Sequence, residues 1–243
     1  MENKVIKVVV YTAIMGKFDN LKDPLVITPN VDYICFTDNP KVKSKTWKVI
    51  LLDKLDNSRL HARKLKILGH ELLNDYEYSI WVDGNILITN NLTELIEQYF
   101  YKEGIEIATF KHPIRNCIYE EAIECAVNHA DNSISISRHL KFLVNNNYPV
   151  NNGLVESNVL FKKNKSKALN DFIAKWWYFV ENITIRDQLS FNFVLSDINI
   201  KFNYLPGNSR GESKDFSWCK HQNKSIIHRV LNKIFSFILS KVK

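Results

Sequence analysis

The sequence predicts an α/β protein, a mixed sheet with helices on both faces, and three observations carry that expectation. Short β-branched runs alternate with segments of helical period. Several runs stop at a polar residue, the pattern of an open sheet whose strand ends line a pocket. The 243 residues contain no Pro/Gly/Ser-rich linker and no internal repeat, so one core suffices.

Strands are expected at about 5–11, 32–36, 47–52, 78–82, 106–110, 154–161 and 199–204. A helix capped by Ser58 runs through Leu73, burying Leu60, Leu65, Ile67, Leu68 and Leu72. Asn90 or Asn91 caps a second helix carrying Leu92, Leu95, Ile96 and Tyr99. A third covers 166–181 with Trp176 and Trp177 as core anchors, and a fourth follows Arg186-Asp187-Gln188. Residues 1–225 form one domain on this reading, with 226–243 as a separate helix.

Composition narrows the partners. The chain begins without an apolar signal-peptide core, and no stretch is long and apolar enough to span a bilayer, so a cytoplasmic location is expected. Cys35, Cys117, Cys125 and Cys219 form no C-x-x-C pair and no zinc spacing; free thiols are the expectation. The net charge of +7 suits an anionic partner. No nucleic-acid motif accompanies it, so nucleic acid is not the expected one.

Three early runs end at Thr12, Asp38 and Asp83, side chains that suit a nucleoside and its phosphates. In Tyr78-Ser79-Ile80-Trp81-Val82-Asp83-Gly84-Asn85 an acid and an amide sit at a strand exit, with Gly84 leaving room for a phosphate or metal. An ordinary Asp-Gly turn reads the same way. Arg63 and Lys66 precede that strand and suit phosphates, or a solvated helix face. The basic run Lys111-His112-Pro113-Ile114-Arg115 follows another strand and suits an acceptor or a phosphate. Glu156 is a candidate general base, and Asp187-Gln188 a pair that reads sugar hydroxyls, although the helix dipole alone explains an acid there. No Walker loop, no Gly-rich dinucleotide fingerprint and no Ser/His/Asp order is present.

Taken in order, these motifs resemble a family. Tyr11–Asp19, Cys35–Asn39, Ala62–His70, Tyr78–Asn85, Phe110–Ala122 and Arg186–Phe191 together resemble a glycosyltransferase-like family long catalogued as a domain of unknown function. Its members include plant turgor-regulation and seed-mucilage proteins and products of bacterial polysaccharide clusters. The resemblance covers roughly residues 5–205. It implies a GT-A-like fold and sugar transfer from a UDP- or GDP-linked donor to a glycan or lipid-linked acceptor. Asp83 and Asn85 then stand where GT-A enzymes place Asp-x-Asp, and Asp187-Gln188 resembles the pair set against the donor sugar. The resemblance also implies Mn²⁺ or Mg²⁺ and a late His ligand, for which His228 and His221 are the candidates. An amide at Asn85 brings no charge to the metal, so affinity leans on the diphosphate, or Lys66, Arg63 and Lys111 neutralise it without metal.

Residues 226–243 keep Ile227, Val230, Leu231, Ile234, Phe235, Ile238, Leu239 and Val242 on one helical face, with Arg229, Lys233, Lys241 and Lys243 opposite. Such a segment suits an anionic membrane surface, or a face of the protein's own core or of a second subunit. Two other readings compete with the transferase: a non-catalytic sugar- or lipid-binding protein on the same fold, and a lipid-amide hydrolase.

Overall fold

The computed structural model describes residues 7–16 and 18–220, so the segment 226–243 and with it His221 and His228 lie outside the described residues. The architecture matches the expected class: a mixed seven-stranded sheet with helices on both faces, consistent with a GT-A-like fold. The strands are β1 Val8–Ile14, β2 Val31–Thr37, β3 Lys48–Leu51, β4 Tyr78–Val82, β6 Ile107–Lys111, β7 Val155–Lys163 and β8 Phe202–Leu205. Their spatial order is β3-β2-β1-β4-β7-β6-β8, and β7 runs against both its neighbours. A two-stranded ribbon pairs β5 Ile86–Ile88 with β9 Phe216–Trp218.

Strand β1 lies between β2 and β4 and is buried along its whole length, which explains the unbroken apolar run Val8–Tyr11. Helices α1 Ser58–Leu68, α5 Lys167–Asn182 and α6 Gln188–Leu195 cover one face, where Leu65, Ile67, Phe172, Trp176 and Phe191 pack with Tyr11 and Trp81. The ribbon and α2 Thr93–Ile96, which continues as a wider turn over Glu97–Lys102, cover the other. Helices α3 Ile118–Val127 and α4 Ser133–Asn145 close a smaller cluster around Leu143, Leu154 and Leu189.

Several sequence expectations need correction. Asn57, not Ser58, caps α1, its side chain accepting from the Leu60 amide; Ser58 instead donates to Asp38. The helix does not reach Leu73: Gly69 adopts φ +81°, and Glu71–Leu73 is a separate 3-10 turn. Asn91 bonds the Thr93 amide from outside the helix, whose cap position is Leu92. Strand β1 extends to Ile14 because β2 pairs with it that far, so Thr12 lies within the strand and not at its exit. Lys111 likewise ends β6 instead of opening a loop. α3, α4 and the β5/β9 ribbon are additions to the predicted elements.

One irregularity shapes the site. Between β6 and β7, Thr109 pairs with Leu160, but Phe110 pairs with Glu156. Residues 157–159 therefore form a bulge off the β6 ladder, held by the Thr109 hydroxyl, which donates to the carbonyls of Glu156 (3.1 Å) and Val159 (2.6 Å).

Candidate active site

The parallel strands β1, β2, β4 and β6 all end at one edge of the sheet, and antiparallel β7 begins there. At that edge lies a cleft of about 180 Å³. Arg63 and Lys66 of α1, Asp83 and Asn85 after β4, Glu156 of β7, and Asp187 and Gln188 at the start of α6 all line it. Ligands of open α/β sheets bind at this edge.

At its centre sits a buried ion cluster. Lys66, 1% exposed, places Nζ 2.7 Å from Asp187 Oδ2 and 3.2 Å from Asp83 Oδ1. Lys66 Nζ also donates to Ser157 Oγ at 3.2 Å, and Ser157 donates to Asp187 at 2.9 Å. Arg63 adds a second cation, 3.4 Å from Asp187 and 3.9 Å from Asp83. Trp81 Nε1 donates to Asp83 Oδ1 at 2.6 Å. Burial opposes the charged form of Asp187, but Arg63, Lys66 and Arg186 overcome it and hold this carboxyl well below the usual range. The solvated-face reading of Arg63 and Lys66 is thereby set aside.

Behind the cluster, Lys162 Nζ donates to the last carbonyls of α1, Lys66 O (2.9 Å) and Ile67 O (3.3 Å), and to the Tyr11 hydroxyl (2.6 Å). Burial and the nearby Lys66 charge push Lys162 down to about 7. In its protonated form Lys162 offsets the dipole at that helix C-terminus, and its hydrogen bonds fix the turn that carries Lys66.

The other end of the cleft belongs to the loop before β9. Arg210 donates to Glu156 Oε1 through Nε (2.8 Å) and Nη2 (2.6 Å), and Ser209 approaches Glu156 Oε2 at 3.4 Å. Glu156 thus holds a half-exposed guanidinium in the cleft, a positioning task not anticipated for a candidate base. Gln188 is likewise engaged, its amide donating to Val155 O (3.0 Å) and accepting from Arg186 (3.0 Å). Among the buried polar atoms without a hydrogen bond, Nε of Arg63 is met by the Asp187 carboxylate at 3.4 Å, while Nε of Arg186 and Oδ1 of Asn158 belong to cleft residues. Such atoms are costly unless a ligand satisfies them.

Five expected residues lie outside the lining. Thr12 is buried within β1, its hydroxyl without a hydrogen bond. Asp38 accepts from the Gly16 amide with both oxygens (2.9 and 3.1 Å), tying the β1 and β2 exits together. His112 accepts the amide of Arg115 (3.0 Å), and burial pushes its imidazole down to about 4, so it is neutral at pH 7. Arg115 pairs with buried Glu121 of α3 at 2.7 Å, while Lys111 is exposed. Glu121 also faces Arg186 at 3.7 Å and so links this loop to the cleft rim. Gly84 serves packing: a Cβ there would meet Ile14 Cδ1 at 2.7 Å.

Sequence reasoning missed Ser157, Asn158, Arg186, Arg210 and Trp218. The run Glu156-Ser157-Asn158 inside an otherwise apolar strand was a visible signal for the first two. Arg210 had none, since its partner is 54 residues away.

The Glu156–Arg210 pair gives a prediction. If the cleft takes a nucleoside diphosphate, Glu156→Gln and Arg210→Ala are expected to weaken its binding by a similar factor, about tenfold for loss of one charge-assisted contact. Calorimetric titration checks this; a Glu156→Gln protein that binds normally but loses only turnover returns Glu156 to the role of base.

Comparison with known proteins identifies a family. The model of the TOD1/MUCI70 glycosyltransferase-like domain matches residues 1–208. The chain is 24% identical over 229 residues to the probable hexosyltransferase MUCI70 of Arabidopsis thaliana, covering 81% of this chain. It spans only 38% of the length of that plant protein. The matched region contains every element from β1 through β8, including α1, β4, the bulge of β7 and the start of α6 that together build the cleft, and the chain belongs to the TOD1/MUCI70 glycosyltransferase-like family.

Proposed function

We propose that this protein is a nucleotide-sugar-dependent hexosyltransferase acting on a glycan or lipid-linked acceptor, in synthesis of a surface polysaccharide. The observation that carries the reading is the Lys66–Asp187–Arg63–Asp83 cluster at the strand-end cleft. Fixed cations in a partly desolvated site stabilise the charge that develops on a departing diphosphate. Arg63, Lys66, Arg186 and Arg210 would supply the opposing positive charge. Asp187 positions Lys66 and Arg63, and Gln188 positions Arg186. The β1 and β2 exits joined by Asp38 would take the nucleoside, with Thr12 behind them. The loop Lys111–Arg115, braced by Glu121, would meet the acceptor.

A divalent metal fits the site only in part. Asp83 and Asn85 both line the cleft, but Asp83 Oδ1 already receives Lys66 and Trp81. Among the described residues no group of three His, Cys, Asp or Glu side chains is placed to hold an ion. Two oxygen donors from the chain suit Mg²⁺ or Mn²⁺ that arrives with the substrate and keeps phosphate and water ligands. Bound so, the ion would share the neutralisation of the diphosphate. Glu156, the candidate base, and Asp187, a second carboxylate of the cleft, are both engaged by cations, which favours front-face attack with the leaving phosphate taking the acceptor proton.

Thermal unfolding with a nucleotide panel tests the proposal. A ligand at a hundredfold excess over its Kd stabilises by about 2.7 kcal/mol, or about 5–10 °C for a chain of this size. UDP or GDP with Mn²⁺ is expected to give that shift, and Asp83→Ala to remove it. A flat response across the panel counts against a nucleotide donor. Full activity in excess chelator would rule out the metal while leaving the cationic site intact.

A further inference from the structure

The strap between β1 and β2 presents an unusual combination. Its backbone is fixed: the Leu25 amide donates to Ile88 O (2.9 Å), the Thr28 amide to the Tyr33 hydroxyl (3.0 Å), and Thr28 Oγ1 accepts from Leu92 (3.0 Å). Between those anchors Leu25, Val26 and Ile27 stand 68%, 40% and 58% exposed. A single exposed Leu is ordinary, but three consecutive apolar residues on a pinned backbone cannot fold inward.

Beside them lies the loop from β2 to β3. Ser44 donates to Asp23, Trp47 Nε1 donates to Lys22 O (2.9 Å), and the Trp47 ring meets the edge of Tyr33 at 5.3 Å. This loop carries Lys41, Lys43 and Lys45 and leads into Lys48, all exposed. Segments 22–28 and 39–48 together hold five lysines and one acid, Asp23, itself bonded to Ser44. The fifth, Lys22, donates to Gly84 O (2.9 Å) and fastens the strap to the turn that carries Asp83.

We propose that Leu25–Ile27 and the lysine loop 41–48 form a docking surface for an anionic lipid bilayer. An apolar tip whose base is joined to a loop of four exposed lysines fits a continuous negative surface, with the tip reaching the acyl boundary and the lysines meeting lipid phosphates. The faces of soluble proteins mix both signs and match a lysine-rich loop less well. Because the strap is fastened to Gly84 and β5, docking also fixes how the cleft faces the lipid.

Co-sedimentation of the full chain with vesicles tests the proposal, using phosphatidylcholine alone or mixed with phosphatidylglycerol. The wild-type chain is expected to bind the anionic vesicles, less so at high salt. Leu25→Glu/Ile27→Glu and Lys41→Glu/Lys43→Glu/Lys45→Glu are each expected to weaken that binding by about tenfold or more. Both change exposed side chains only, so unfolding midpoints should stay in place and report intact folds. Wild-type binding by either variant, no vesicle binding by the wild type, or equal affinity for neutral vesicles would each overturn it. So would a dimer that Leu25→Glu/Ile27→Glu dissolves without any vesicle binding, which would assign the patch to a second copy of the chain.

Discussion

Replacing Asp187 by Asn is expected to abolish turnover and to destabilise the fold by about 3 kcal/mol. The substitution keeps the shape and the Ser157 contact but leaves two cations, Lys66 and Arg63, facing a neutral amide in a site where Asp187 is 1% exposed. Asp83 still faces Lys66 at 3.2 Å, which holds the cost toward the lower end of the range for broken buried pairs. Adding Lys66→Met should recover part of the stability and none of the activity, because it removes the uncompensated charge together with the cation proposed to meet the diphosphate. Denaturant unfolding of the single and double variants checks this. Additive losses would mean that the two side chains do not act as a pair.

The same carboxyl sets a pH dependence of definite sign. Its folded-state value is depressed, so its contribution to stability is fully present above the ordinary aspartate value near 3.9 and disappears as pH falls below it. The stability difference between wild type and Asp187→Asn should therefore be large at pH 7 and narrow progressively below about pH 4. A difference that stays constant down to pH 3 would contradict the charge-pair account.

The second large effect lies in the core beneath the site. Trp176 is fully buried, meets Phe191 edge-on at 4.9 Å and Phe172 at 5.8 Å, and donates Nε1 to Asp187 O at 2.9 Å. Trp176→Ala is expected to cost about 3–5 kcal/mol through the cavity it opens. Trp176→Phe keeps most of the packing and loses the hydrogen bond, at about 1 kcal/mol. The informative comparison is turnover: the Phe variant should fold yet work less well, since the backbone of Asp187 is no longer held from below. Unaltered turnover would confine Trp176 to packing.

How much of this was legible follows from the range of each interaction. β1 and β4 are apolar runs long enough to read directly, and seven of the twelve described residues singled out on the sequence do line the cleft. Helix α4 escaped because its opening Ser133-Ile134-Ser135-Ile136 alternates with the period of a strand. Helix α3 escaped because Glu121 occupies its buried face, paired with Arg115, where a pattern search looks for an apolar residue. The β5/β9 ribbon is three residues wide, too short for any periodicity. Arg210 and Glu156 are recognisable only as a pair brought together by the fold.

The bulge in β7 has a consequence for how the cleft tolerates change. Ser157 and Asn158 sit outside the β6 ladder, while Val159 and the residues after it keep their partners in β4. Two adjacent sites can thus be exchanged without shifting the register of the largest sheet. Libraries confined to 157 and 158 should yield folded proteins at a higher rate than libraries at 160 and 161, so the lining of the cleft can vary while the strand pairing is kept.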